Sequence, residues 1–177
     1  MSSEACNNID WDGTQDMMRA LTLTEHWYIT KHSSSNCGVG ATLVKWKHQQ
    51  DDACPRCGQP EDSTHVYICT GQNALSTWDS NLTHLTESLT KSQTDPAITH
   101  TIDTSLASWR QYGHVPLHLI PPSLHLLVLQ QTLIGWHQLL EGVAGTQWQH
   151  AQQDYCVRHR IQQSNNRWLC KTLVQLV

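Results

Sequence analysis

A chain of 177 residues is long enough to bury a real core, as one domain or as a small domain with an appendage. Only 15% of the residues are charged and the formal net charge is -4, which weighs against a generic nucleic-acid binder, because nonspecific affinity comes from Lys and Arg releasing counterions from phosphates. Eight Trp and no Phe place the large aromatic packing on indoles whose N–H groups each want a partner, and the sparse charge implies an unusually uncharged surface.

In chain order, residues 1–8 are polar and read as a disordered tail. Ile9 and Trp11 precede Asp12-Gly13-Thr14, a turn in which Asp12 or Thr14 caps a short helix carrying Met17, Met18 and Leu21. Thr24 caps the next helix, with Trp27 and Tyr28 inward and Lys31 outward. A loop over 36–40 leads into a helical turn or two over 41–47, placing Trp46 where it is expected to pack on the region that follows and exclude water from it. The polar N-terminus has no apolar segment of the secretory kind, so a reducing intracellular compartment is the default expectation.

Next comes Cys54-Pro55-Arg56-Cys57-Gly58, with His65 after a polar turn and Cys69 one helical turn later. A C-x2-C bend aims two thiolates at one point. Pro55 fixes one backbone angle, and Gly58 can take the left-handed conformation that turns backbone amides toward the sulfurs. His65 and Cys69 stand at i and i+4, on one face of a helix. The pattern C-x2-C-x7-H-x3-C predicts a structural Zn2+ site with Cys54, Cys57, His65 and Cys69 as ligands. Four protein ligands leave no open position for a substrate water, so the metal is expected to be a staple and not a catalyst. The competing readings are buried or free thiols and a redox dithiol. A redox motif normally opens a helix after a buried strand, and no strand–helix–strand pattern surrounds this one. Cys6, Cys37, Cys156 and Cys170 are left over, as small buried hydrophobes or idle thiols.

Beyond Cys69 the periodicity becomes regular. Leu75, Trp78, Leu82, Leu85 and Leu89 form one stripe of a helix of about five turns. Asp95 is an N-cap followed by a first-turn proline, and Ile98, Ile102, Leu106 and Trp109 form the next stripe. After a loop over 113–120, Pro121 and Pro122 open what reads as the longest helix. Its inner face is assigned to Leu126, Leu129, Leu133, Trp136, Leu140 and Val143, widened by Leu127 and Ile134, and Gly142 and Gly145 stop it. The apolar run over 117–143 is interrupted by prolines, histidines and glutamines, so it is a core helix and not a membrane span. Trp148, Ala151 and Tyr155 mark a further helix. Ser164 or Asn165 caps the last, in which Leu169, Leu173 and Leu176 face inward, and this apolar end is expected to promote self-association.

From Arg158 to Lys171 there are four basic residues (Arg158, Arg160, Arg167 and Lys171), no acid, and Trp168 among them. The plain reading is the solvated face of two helices; the sharper one is a strip that binds single-stranded nucleic acid weakly. Other groupings carry no chemistry. His114 and His118 are separated by Pro116, which argues for a loop. Asp51-Asp52 is a charged turn into the cysteine motif, and no G-x-S-x-G, phosphate-cradling glycine loop or H-E-x-x-H occurs. An enzyme is not expected.

No long segment alternates with period two, so the fold is predicted as all-α: an irregular helical array with a small zinc-stapled hairpin near the N-terminal third. The domain reading is a tail over 1–8, short helices plus the zinc site over 9–71, and a helical extension over 72–177.

The run Cys37-Gly38-Val39-Gly40, Lys45-Trp46-Lys47, C-P-R-C-G, Gln59-Pro60-Glu61-Asp62, His65-Val66 and Cys69 resembles the zinc-binding region that follows the polymerase in reverse transcriptases of non-long-terminal-repeat retrotransposons. It is also similar to retroelement-derived proteins of protists that keep this region with a helical extension. Gln130-Gln131, Ile134-Gly135-Trp136, Leu139-Leu140-Glu141-Gly142, Trp148, Gln152, Tyr155 and Arg167-Trp168 resemble that extension. The resemblance implies a noncatalytic module that assists RNA or DNA handling by a reverse-transcriptase partner. It also implies a copy truncated at its C-terminus, because an aromatic-rich helix continues beyond this point in the sequences it resembles. The alternative is a protein-interaction or purely structural helical domain in which zinc serves stability alone.

Overall fold

The computed structural model describes residues 2–162, and among them every named element is helical. Two isolated bridges, Ile9 with Gly145 and Ala53 with Pro60, are the extended pairings. The all-α expectation holds. The chain divides into two compact units, Leu21–Leu82 and the residues on either side of it, Met1–Ala20 with Thr83–Val177. The boundaries differ from a split at 71/72, because the first two helices pack with the distal half of the chain.

The discontinuous unit begins with α1, Ser3–Asn7, where the polar sequence predicts a tail. Its order has a local and a distant cause. Ser2 accepts from the Ala5 N–H at 3.1 Å as an N-cap. Ala5 is fully buried with Ile9 and Ile134, and the Ile9 bridge is flanked by Asp10 N–H to Ala144 O at 2.9 Å and Thr146 N–H to Asn8 O at 2.9 Å. In α2, Trp11–Ala20, the capping carboxylate is that of Asp10, accepting from Gly13 N–H at 2.9 Å, and not Asp12 or Thr14.

α6, Gln72–Lys91, and α7, Pro96–Tyr112, follow the predicted stripes. Leu85, Leu89, Ile98, Ile102 and Leu106 are buried, and Asp95 caps α7 by accepting from Ala97 N–H at 2.8 Å. Two 3-10 turns, Leu117–Leu119 and Pro122–Leu124, then lead to α8, His125–Ile134. Two differences from the sequence reading appear here. The helix ends at Gly135, whose φ of 115° is open to glycine but not to other residues, and a separate α9 runs over Trp136–Leu140. The inward face is Leu127, Val128, Gln130, Gln131 and Ile134, while Leu126, Leu129 and Leu133 face water.

Gln131 makes the full complement of bonds open to a side-chain amide. Its oxygen accepts from Gly145 N–H (3.1 Å) and Trp148 Nε1–H (3.2 Å); its nitrogen donates to Gly135 O (3.0 Å) and Val143 O (3.3 Å). α10, Thr146–His159, buries Trp148, Gln152 and Cys156, a stripe of i, i+4 and i+8. Gln152 accepts from Asp95 N–H at 2.8 Å and donates to Gln93 O at 3.0 Å, which pins the α6–α7 connection to α10. The expected cap at Ser164 or Asn165 and the apolar end lie outside the described residues.

In the other unit, α3 spans Leu23–Ser33 and is capped by Thr22 through a capping box with Glu25, not by Thr24. Trp27 and Tyr28 do not face inward: they are 58% and 43% exposed, whereas Ile29 and His32 are buried. The Lys31 ammonium lies over the Trp27 ring, 5.3 Å from its centroid. α4, Gly40–Lys45, and α5, His65–Ile68, flank the cysteine motif. Rings of Tyr28, His32 and Tyr67, each successive pair 5.2 Å apart, run from α3 to α5. No described helix is long and apolar enough to cross a membrane.

Candidate metal centre

The bend after α4 is closed by backbone bonds. Cys54 N–H donates to Gln59 O at 2.7 Å, Gly58 N–H to Cys54 O at 2.8 Å, and Glu61 N–H to Asp52 O at 2.8 Å. With the Ala53–Pro60 bridge these close the small hairpin foreseen from C-x2-C. Gly58 has φ of 74°, the left-handed value its position is expected to need. Amides of Arg56 and Cys57 reach the Cys54 sulfur, and that of Gln59 reaches Cys57.

Glu61 ties the hairpin to α4. Its carboxylate accepts from Gly40 N–H at 2.9 Å and its carbonyl from Ala41 N–H at 2.8 Å. Gly40 is required by proximity, since a Cβ there would collide with the Asp52 carbonyl. At α5, Asp62 accepts from His65 N–H at 2.7 Å and so fixes the turn that presents the imidazole. Sequence reasoning missed Glu61, Asp62 and Gly40 as supports of the site. The available signal is an Asp three positions before the ligand histidine, the spacing of a side-chain cap.

Cys54, Cys57, His65 and Cys69 converge: their ligand atoms all lie within 4.8 Å of one another and could hold a metal ion. Cys54 Sγ and Cys69 Sγ are 3.8 Å apart, and Cys57 Sγ and His65 Nε2 3.3 Å. Cys54, His65 and Cys69 are buried; Cys57 is half-buried. Burial pushes the Cys54 thiol up, whereas the Gln59 amide, ahead of the neighbouring thiols and His65, draws Cys57 down to about 7. Three thiolates and an imidazole are soft and borderline donors, unlike the oxygen set that hard cations prefer.

Trp46, expected over this site, is 45% exposed, with its ring nearly perpendicular to that of His48. Asp51 and Asp52 form the charged turn foreseen: the Asp51 carboxylate accepts from Ala53 N–H at 3.1 Å. Among the described residues no second group of three or more His, Cys, Asp or Glu converges; His114 lies in the bend after α7 and His118 in the first 3-10 turn. Of the basic strip, Arg158 and Arg160 are exposed at the end of α10, where Arg160 takes a left-handed φ of 53°. Arg158 also donates to Asp154 O at 3.3 Å. Arg167, Trp168 and Lys171 lie outside the described residues. No protein-family model, curated protein or solved structure matches the chain.

Proposed function

We propose that the chain is a noncatalytic zinc-stapled helical module of retrotransposon reverse-transcriptase origin, positioning single-stranded RNA or DNA for a neighbouring polymerase. The observation that carries the metal part is the convergence of Cys54, Cys57, His65 and Cys69. Zinc bonds of about 2.3 Å to sulfur and about 2.0 Å to nitrogen give tetrahedral edges of roughly 3.8 Å between sulfurs and 3.5 Å between sulfur and nitrogen. The separations of 3.8 Å and 3.3 Å lie close to these. Zinc held by four protein donors has no vacancy for a reacting water, and thiolate donors fit a reducing intracellular compartment. The retroelement part is supported by the residue run from Cys37 to Cys69, and the nucleic-acid part by the basic residues at and beyond the end of α10.

A second reading, a protein-interaction module, draws support from the net charge of -4 and from the exposed Trp27, Tyr28 and Trp46, the side chains that dominate protein interfaces. Metal analysis followed by a salt-dependent titration with single strands and duplexes separates the two. On the leading reading the protein carries one zinc per chain and binds single strands weakly, with about four phosphate contacts, each contributing a salt slope near -0.7. Arg158→Ala with Arg160→Ala then removes most of that affinity. Binding absent even at low salt favours the interaction module, and a protein that takes up no metal rejects both.

A further inference from the structure

α8 turns two glutamines inward and three of its four leucines outward. Leu126, Leu129 and Leu133 are 61%, 48% and 54% exposed, while Gln130 and Gln131 are buried. Hydrogen bonds fix this rotation. Gln131 makes the four already described, and Gln130 donates to Asn8 Oδ1 (3.0 Å) and Thr146 Oγ1 (3.4 Å) and accepts from Gln147 N–H (3.1 Å). Rolling α8 far enough to bury the leucines would break all of them. The leucine stripe is therefore a fixed property of the folded surface.

We infer that this stripe is a self-association surface, with α8 packing antiparallel on α8 of a second copy across a two-fold axis. Leu126 then faces Leu133 of the second copy, and Leu129 meets its own equivalent. Spacings of three and four residues put the leucines in one row, and the row reads almost alike in both directions. A two-fold axis sets each surface against itself, so a patch with a net charge of one sign repels its copy, whereas a neutral one does not. Between Arg110 and Glu141 the sequence contains no Asp, Glu, Lys or Arg.

The same neutrality argues against a membrane surface as occupant, because interfacial helices carry Lys and Arg beside their apolar face. The leucines expose on the order of 300 Å2, the lower end of the largest apolar patch on a typical monomer and well under the roughly 800 Å2 each partner of a stable dimer buries. The dimer is accordingly weak, with a dissociation constant on the order of 100 µM. α8 lies outside the unit that holds the metal ligands, so the inference stands apart from the zinc reading.

Sedimentation equilibrium of the full chain, up to about 500 µM and at low and high salt, tests it. The weight-average mass is expected to rise toward that of a dimer, with no weakening at high salt, as for an apolar contact. Leu129→Lys should weaken association at least tenfold without loss of helical circular dichroism, and Leu129→Gln should weaken it without adding charge. Should the Lys variant lose helix, the Gln variant decides. Leu173→Lys, in the apolar C-terminal segment, should leave the dimer intact. A wild-type monomer throughout overturns the inference, as does association that survives both Leu129 changes or is abolished by the Leu173 change.

Discussion

Replacing Cys57 by Ser removes one metal ligand with little other disturbance, since Cys57 is only half-buried and Ser is slightly smaller. Apart from ligand cysteines, the buried apolar side chains of Leu21–Leu82 are Ile29 and Val39. Each contributes about 1.5–3 kcal/mol. Structural zinc contributes roughly 10–16 kcal/mol of apparent binding free energy, and that energy is folding free energy where the site hardly exists in the unfolded chain. On the zinc reading, metal would stabilise this unit more than its small apolar core does, and loss of the metal should unfold it. Amide hydrogen exchange with and without a chelator, and on the Cys57→Ser variant, reads the result by segment. Protection should vanish from about Thr22 through the first half of α6 and persist from Leu85 and Leu89 onward, where α6 is buried. A Cys57→Ser protein that keeps one tightly bound metal, or a metal-free protein with unchanged protection over 40–70, would refute the reasoning.

Gln131→Leu keeps the approximate volume but strands Gly145 N–H, Trp148 Nε1–H and two carbonyls. At about 1–3 kcal/mol for each buried group that water cannot reach, a loss of roughly 3–5 kcal/mol is expected in urea denaturation. Gly40→Ala drives a methyl into the Asp52 carbonyl, and chemical denaturation of the zinc-loaded protein should show a loss of about 1–3 kcal/mol. Thr22→Ala should cost about 1 kcal/mol through loss of the α3 cap, measurable by thermal melting. The Thr22 hydroxyl, then the Thr22 amide, hold the Glu25 carboxyl below its ordinary 4.5. Its contribution to stability is therefore present above that value and lost as pH falls through the lowered one. NMR titration of Glu25 should show the depression shrink in Thr22→Ala.

The metal cluster was legible because its chemistry is local: both ligand pairs are set by spacing within one turn. α6 and α7 were legible because each carries a single apolar stripe bounded by a cap or a proline. α8 was not. Leu126, Leu129 and Leu133 on one side, and Leu127 and Ile134 on the other, have the same helical period, so hydropathy alone cannot choose between them. The choice is made by Gln130 and Gln131, whose partners are the distant Asn8 and the loop before α10. Trp27 illustrates the same limit, since an amphipathic indole beside a lysine can sit at the surface under that cation, and hydropathy alone does not separate this from a core position. The polarity of α1 concealed a two-residue apolar signal, Ala5 and Ile9, that has meaning only once Ile134 is present.

The pairing of Ile9 with Gly145 sets an order of events during synthesis. The first helices leave the ribosome without the surface they need, and at about 5–20 residues per second they wait on the order of ten seconds for it. Leu21–Leu82 has no such delay, because the contacts that build it lie within its own span. If metal is available, this inserted unit can finish first and shorten the effective loop that must close between α2 and the rest of its unit. A shortage of metal at that moment would lengthen the wait of an N-terminal segment whose apolar residues, Ile9 and Met17, have as yet nothing to cover them.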